Sequence, residues 1–380
     1  MDDTGAAACW KLLELASIHD VFPVDLDVDS ILPEVDWSFL MAAAMRHRLL
    51  PRVADFLLRS ELMPFPPREY RRALVLALHD NRYRCAEATK EADRVVRALA
   101  DRGVTVACTK GVGFQVSLYG GLGGRYFDDI DLMIHPEDKD QVAETVLGLG
   151  FQANLDHDFQ ADTLVSLPRQ DVAMFRFYPD HLPHFLRPLT GYGFPYHTVD
   201  VCFNITWYGA GWQIPMSDVL ADLAHVDVPG HDETITLPVL TAPYDFIFTA
   251  THLFREAWYE RVIARKNIRL GLFADMWRQW HRLTPADVQD LATLVDKHAI
   301  APPIAWVCHH VDQIFGSELV AGLGLDAYCD EAWLHSAGAM DGSCLKWTGS
   351  MRDRVRSADP PPLSPAAETR FAADARAARR

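Results

Sequence analysis

The sequence predicts an α/β chain in which a small mixed sheet is flanked by N-terminal and C-terminal helical regions. Three observations carry this. Apolar residues recur at helical spacing up to about residue 100, the pattern shifts to short β-branched runs between Gly103 and Leu240, and helical spacing returns beyond Leu240. With 49% hydrophobic residues in a chain of 380, apolar material is ample for a packed core, which excludes disordered, collagen-like and disulfide-stapled classes.

In chain order, residues 7 to 100 read as helices. Trp37, Leu40, Met41, Ala44 and Met45 recur at helical spacing, and so do Leu74, Leu76 and Ala77, and later Val95, Val96 and Leu99. Pro23, Pro33, Pro51 and the cluster Pro64, Pro66, Pro67 punctuate them. Val104 to Cys108, introduced by Gly103, reads as a strand, and Phe127 to Ile134 as a second. Pro136, followed by Glu137 and Asp138, opens a helix running to Gly148 or Gly150. Val172 to Tyr178 and Thr198 to Ile205 are further strand candidates, and the proline-rich stretch 179–196 between them reads as a long irregular loop. Past Leu240, Phe246, Ile247, Ala250, Leu253 and Phe254 form one apolar helix face, and helices at about 262–282, 285–299 and 303–316 complete a bundle. From about Ala358 the chain reads as a linker with a frayed helix. The expected organisation is a helical region over 1–100, a sheet-bearing core over 101–240, a helical bundle over 241–330 and a partly flexible extension over 331–380.

Charge narrows the partners. Lysine plus arginine total 36 against 52 aspartates and glutamates, and the formal charge of -16 repels phosphate backbones and anionic membranes. The seven cysteines are scattered, with no CxxC pair, so neither a disulfide framework nor a zinc ribbon is indicated. No basic leader precedes the first apolar stretch and no run of 18 apolar residues occurs, so the expectation is a soluble, cytoplasmic protein without a membrane partner.

The chemistry concentrates around Arg125-Tyr126-Phe127-Asp128-Asp129-Ile130-Asp131-Leu132. In a strand, Asp129 and Asp131 project to one side while Ile130, Leu132 and Ile134 face the other. Two carboxylates at that spacing repel, and are tolerated when hydrated at a surface or neutralised by a divalent cation such as Mg²⁺ or Mn²⁺. Asp200, inside the apolar run Val199 to Phe203, also needs a partner. Brought alongside the first pair, it would complete a three-carboxylate cradle of the two-metal type.

Around these residues the sequence resembles the uncharacterised nucleotidyltransferase family of the DNA polymerase beta-type superfamily. The resemblance rests on Lys110-Gly111 after a short strand, Arg125 ahead of Asp129-Ile130-Asp131-Leu132, a helix ending in Gly150-Phe151, and Val199-Asp200-Val201 followed by Trp207. It extends to Asp36-Trp37, to His47-Arg48-Leu49-Leu50-Pro51, and to Asp245, His252 and Asp275, spanning roughly residues 35 to 285. One departure is Lys110-Gly111 itself, which stands where the superfamily usually has Gly-Ser. The resemblance implies a sheet of nucleotidyltransferase type, Mg²⁺ or Mn²⁺ as cofactor, an NTP as co-substrate, and transfer of a nucleoside monophosphate with release of pyrophosphate. Asp129, Asp131 and Asp200 are then the catalytic and metal-holding residues, and Lys110, Gly111 and Arg125 contact the triphosphate.

Other features carry less. Gly120 to Gly124 follows a helix and precedes a strand, the reverse of a dinucleotide fingerprint, and reads as a flexible loop over the site. Ser117 lacks a nucleophile-elbow context, and Asp128 reads as a hydrated neighbour. His181 and His184 have no third metal ligand in sequence and read as loop residues. The acceptor is expected to be a small molecule covered by the 179–196 loop, with its Phe185, Tyr192, Phe194 and Tyr196. The basic strip Arg255, Arg261, Arg265, Lys266 and Arg269 is what would favour nucleic acid instead. Two rival readings keep the fold: a catalytically silent or accessory binding protein, and an enzyme using the same metal site for a different transfer or a protein acceptor.

Overall fold

The computed structural model describes residues 3–19, 28–158, 160–177, 180–189, 195–229, 234–259, 268–339 and 341–376. The chain forms a mixed α/β fold with two compact units. One unit comprises His79–Tyr208 and Ile214–Thr241, and the other Met1–Leu78, Gly209–Gln213 and Ala242–Arg380.

The first unit is built on a sheet. Its strands, with a separate hairpin included in the numbering, are β1 (Val106–Thr109), β2 (Ile130–Ile134), β3 (Gln152–Ala153), β4 (Leu155–Asp158), β5 (Thr163–Ser166), β6 (Phe185–Pro188), β7 (Tyr196–Cys202), β8 (Leu223–Pro229) and β9 (Thr234–Leu240). Seven of them form one mixed sheet in the order β3-β6-β7-β2-β1-β9-β8, while β4 and β5 pair on their own. β2 runs parallel to β7 and β1 parallel to β9, and the remaining pairs of the sheet are antiparallel. Strand alternation decides which face is apolar. Val106 and Cys108 of β1, Ile130, Leu132 and Ile134 of β2, and Val199 and Val201 of β7 join one core with Val95 and Leu99 of the helix Arg68–Ala100 and Val142 and Val146 of the helix Lys139–Gly148. Each such side chain contributes about 1.5 to 3 kcal/mol by leaving water. That face locks the register and sends Asp131 to the other.

Two elements depart from the sequence reading. Val172 lies in a helix, Arg169–Phe177, and not in a strand; Tyr178 is outside the described residues. Pro168 opens that helix, its carbonyl accepting from Asp171 and Val172 N–H, and this local start overrides the alternating Phe-Arg-Phe pattern. The expected loop at 179–196 contains β6, an internal strand between β3 and β7. Tyr192 and Phe194 lie outside the described residues. The β8–β9 hairpin completes the sheet beyond the strands read from sequence.

The second unit is helical, with Asp3–Ile18, Trp37–Arg46, Leu50–Arg59, Ala242–Trp258, Leu270–Trp280, Pro285–Lys297 and Ala301–Phe315 among its helices. Asp36 caps Trp37–Arg46 by accepting from Ser38 and Phe39 N–H, and Thr284 with Asp287 forms a capping box on Pro285–Lys297. The C-terminal carbonyls of the first helix, which have no partner within it, are met by buried guanidinium groups. Arg52 donates to the Ala16 and His19 carbonyls, and Arg278 to those of Ser17 and His19. Buried His47 accepts from Leu270 N–H at 3.0 Å, and burial beside Arg46 lowers its pKa to about 3. Phe254 is surrounded by Trp258, Trp306 and Trp333 at centroid distances of 5.4, 5.3 and 5.6 Å.

Residues expected as a terminal linker pack against this unit. Ser364 and Pro365 pair with Lys346 and Leu345, Phe371 and Ala375 are buried, and the Asp374 carbonyl accepts from Gly211 N–H at 2.7 Å. All seven cysteines are free thiols. Among the described residues no helix is long and apolar enough to cross a membrane.

Candidate metal centre

The centre is one cross-strand row on the sheet face opposite the apolar core. Asp131 of β2 pairs with Thr109 of β1 on one side and with Asp200 of β7 on the other. Directly paired residues share a face, so the hydrophobic register that buries Leu132 and Val199 also sets these side chains next to each other. Asp129, just ahead of β2, joins them, and one carboxylate oxygen from each of Asp129, Asp131 and Asp200 lies within 4.8 Å of the others. The row continues one step further. Phe185 of β6 opposes Val199, so the next antiparallel position brings His184 opposite Asp200, and His184 Nε2 stands 3.7 Å from Asp200 Oδ1. His181 is held by a bridge to Cys202 and by Leu182 N–H donating to the Val201 carbonyl, and its Nδ1 is 3.1 Å from the same oxygen.

The turn from β1 into the helix Lys110–Ser117 closes the other side. Lys110 has φ +40°, a left-handed conformation that costs a non-glycine residue roughly 1–3 kcal/mol and persists where the surroundings hold it. Here an ion pair holds it, with Lys110 Nζ 3.0 Å from Asp131 Oδ1. Gly111 is required by close approach, since a Cβ there would lie 2.8 Å from the Asp129 carbonyl oxygen and 3.1 Å from the Phe127 ring. Thr109 Oγ1, at the start of the same helix, is buried and has no hydrogen-bond partner among the described residues.

The glycine-rich stretch 120–124, expected as a flexible loop, is fastened to the helix Arg68–Ala100. Asn81 Nδ2 donates to the Gly123 and Arg125 carbonyls at 2.6 and 2.8 Å, Arg82 Nε to Leu122 at 2.8 Å, and Arg84 to Phe127. These bonds deliver the chain to Asp129 along a set path. Arg125 is placed differently from the other predicted contacts, its guanidinium 5.2 Å over the Phe114 ring and its backbone N–H on Gln115 Oε1. It is not among the charges that dominate Asp129 or Asp200.

Electrostatics follow from this crowding. Two unit charges about 4 Å apart interact by about 4 kcal/mol at an effective dielectric near 20. Burial, and then the neighbouring Asp131, raise Asp129 to a pKa of about 7. Burial works against the Lys110 ammonium, but Asp131, then Asp129 and Asp200, outweigh it and raise its pKa. Burial likewise opposes ionised Asp200, yet His181 beside it, with His184 and Lys110, holds that carboxyl well below the usual range. Three carboxylates against one ammonium leave an excess of negative charge on hard oxygen donors, the donor set a divalent cation such as Mg²⁺ or Mn²⁺ fits.

The structure thus brings together five of the six residues singled out from sequence, Lys110, Gly111, Asp129, Asp131 and Asp200, and packs the sixth, Arg125, on Phe114. His181, His184 and Thr109 were missed as part of the centre. The β6–β7 register reveals His184, and the bridge between His181 and Cys202 reveals His181. Asp245, His252 and Asp275 belong to the helical unit, where Asp245 Oδ2 accepts from Gln279 Nε2 at 3.0 Å and Asp275 is buried. Of the basic strip, Arg261, Arg265 and Lys266 lie outside the described residues. A family model described as an uncharacterised nucleotidyltransferase matches residues 33–316, most of the chain. No curated protein matches it.

Proposed function

The chain belongs to the uncharacterised nucleotidyltransferase family, and on that premise we propose that it transfers a nucleoside monophosphate from an NTP to a small-molecule acceptor. The observation that carries this reading is the row Thr109–Asp131–Asp200 with Asp129 within ligand distance of it. Asp129, Asp131 and Asp200 would hold the divalent cation. When bound, Mg²⁺ or Mn²⁺ supplies Lewis-acid charge for phosphoryl oxygens and makes an attacking hydroxyl more acidic.

The chain's own groups divide the remaining work. Asp200, kept ionised beside two imidazoles, accepts the proton of the attacking hydroxyl. Lys110, Thr109 Oγ1 and the first backbone N–H groups of the helix Lys110–Ser117 form the phosphate side, where an ammonium, an unpaired hydroxyl and a helix start converge. Arg125, held over the Phe114 ring, is the further cation assigned to the triphosphate. A small acceptor is favoured over nucleic acid because the -16 charge repels a polyanion and no lysine and arginine cluster with interleaved aromatics appears in the sequence.

The test is to incubate the protein and Mg²⁺ with each α-labelled NTP, total RNA and a fractionated metabolite extract. Label in a metabolite fraction, absent with Asp131→Asn, is the expected result. Label in the RNA fraction alone overturns the small-molecule acceptor, and no transfer to either fraction leaves a catalytically silent protein as the reading.

A further inference from the structure

Two imidazoles converge on a single oxygen of the third carboxylate. His181 Nδ1 lies 3.1 Å and His184 Nε2 3.7 Å from Asp200 Oδ1. Backbone pairing fixes both. Phe203 N–H donates to the Asp180 carbonyl and Leu182 N–H to the Val201 carbonyl, so residues 180–182 are fastened on either side of His181. Pairing of Phe185 with Val199 then sets His184 opposite Asp200. The side chains differ in access, His181 being 20% exposed and His184 48%.

A carboxylate that must present one oxygen to a cation loses affinity if it is free to rotate; an N–H donor to its other oxygen, the part His181 Nδ1 plays at 3.1 Å, removes that freedom, and the His184 ring, at 3.7 Å beyond hydrogen-bond length, crowds the same oxygen from the other side. Neither imidazole belongs to the group of ligand atoms that lie within 4.8 Å of one another, so both histidines touch Asp200 without being counted in the three-carboxylate cradle. We propose that His181 and His184 are positioning residues that clamp Asp200 Oδ1 and leave the other oxygen to the cation and the acceptor hydroxyl. The inference rests on the metal reading of the site and assigns the Asp180–His184 segment to it.

Mn²⁺ binding to the full chain, measured by calorimetry with a thermal melt of each apo variant, tests the clamp. Partners of metal ligands typically contribute 10–100-fold in affinity. His181→Phe should therefore weaken Mn²⁺ binding by about tenfold or more, while His181→Asn, whose amide N–H falls near the place of Nδ1, should restore it to within about threefold of the parent. His184→Ala, at a half-exposed position where folding is not at stake, should weaken binding by a smaller factor, about three- to tenfold. His181→Phe within threefold of the parent, or His181→Asn no better than His181→Phe, overturns the clamp on Asp200, as does His184→Ala without effect where His181→Phe fails to fold. Asp200→Ala separates the two levels: unchanged Mn²⁺ affinity in that variant removes Asp200 from the metal site, and the clamp with it.

Discussion

Lys110 already fills the demand for positive charge in the cradle, its ammonium 3.0 Å from Asp131 with Asp129 and Asp200 acting on it as well. A divalent cation entering without nucleotide must share those carboxylates with it. Lys110→Ala is therefore expected to bind Mn²⁺ tighter than the parent by about tenfold, roughly 1.4 kcal/mol and well within the interaction of two charges about 4 Å apart. Calorimetry on the apo protein reads this, and equal or weaker binding would show that the ammonium does not compete. Asp129 makes a pH prediction of definite sign. Its folded pKa of about 7 stands above the ordinary 3.8, so between those values the folded protein keeps a proton that the unfolded chain releases. Apo stability should fall as pH rises from about 4 to about 7 on this account. Asp129→Asn, which resembles the protonated form, should melt like the parent near pH 3.5 and pull ahead of it as pH rises, by about 2 °C or more near pH 8. Parallel melting profiles at the two pH values would refute the shift.

At the scale of elements, the β1-to-helix turn and the start of β2 are fitted to each other. The Cβ of Gly111→Ala would come 2.8 Å from the Asp129 carbonyl oxygen and 3.4 Å from Asp131 Oδ2, so the segment entering β2 must move. Overpacking of this kind costs about 1–3 kcal/mol, and here the displaced atoms belong to Asp129 and Asp131, two of the three residues proposed to hold the cation. The variant should show both a lower melting temperature and weaker Mn²⁺ binding; loss of one without the other would separate the turn from the cradle. This part of the site was legible in the sequence because its residues are close together: a strand, Lys-Gly, then Asp-x-Asp in a strand of period 2. The histidine side was not. The prolines at 179–196 hide β6, and His184 meets Asp200 only through the β6–β7 pairing, a partnership no local spacing encodes.

Across the whole molecule, the C-terminal segment is part of the helical unit's packing. Phe371 is buried with its ring 5.6 Å from that of Trp333 and 5.8 Å from that of Tyr328. Phe371→Ala should destabilise that unit by about 3 kcal/mol, the low end for a buried phenylalanine. A melt or urea titration followed by tryptophan fluorescence would register it, since Trp333 and its neighbours report on this unit. A midpoint equal to the parent's would mean that the segment is held without contributing.

Composition and periodicity sufficed for the α/β class, and local motif spacing singled out Asp129, Asp131 and the Lys110-Gly111 turn as candidates. These are properties of short stretches, in which the alternation that buries Ile130, Leu132 and Ile134 also projects Asp131 the opposite way. Two things were decided by tertiary structure alone: that 179–196 contains an internal strand, and that Asp200, with His181 and His184 against it, stands beside Asp131. The helix at Val172 is a different case, set locally by a Pro168 start signal that competes with a strand-like pattern. The two tertiary outcomes depend on which strand pairs with which and in what register, and that choice is made by burial across the entire sheet, through contacts between residues far apart in the chain.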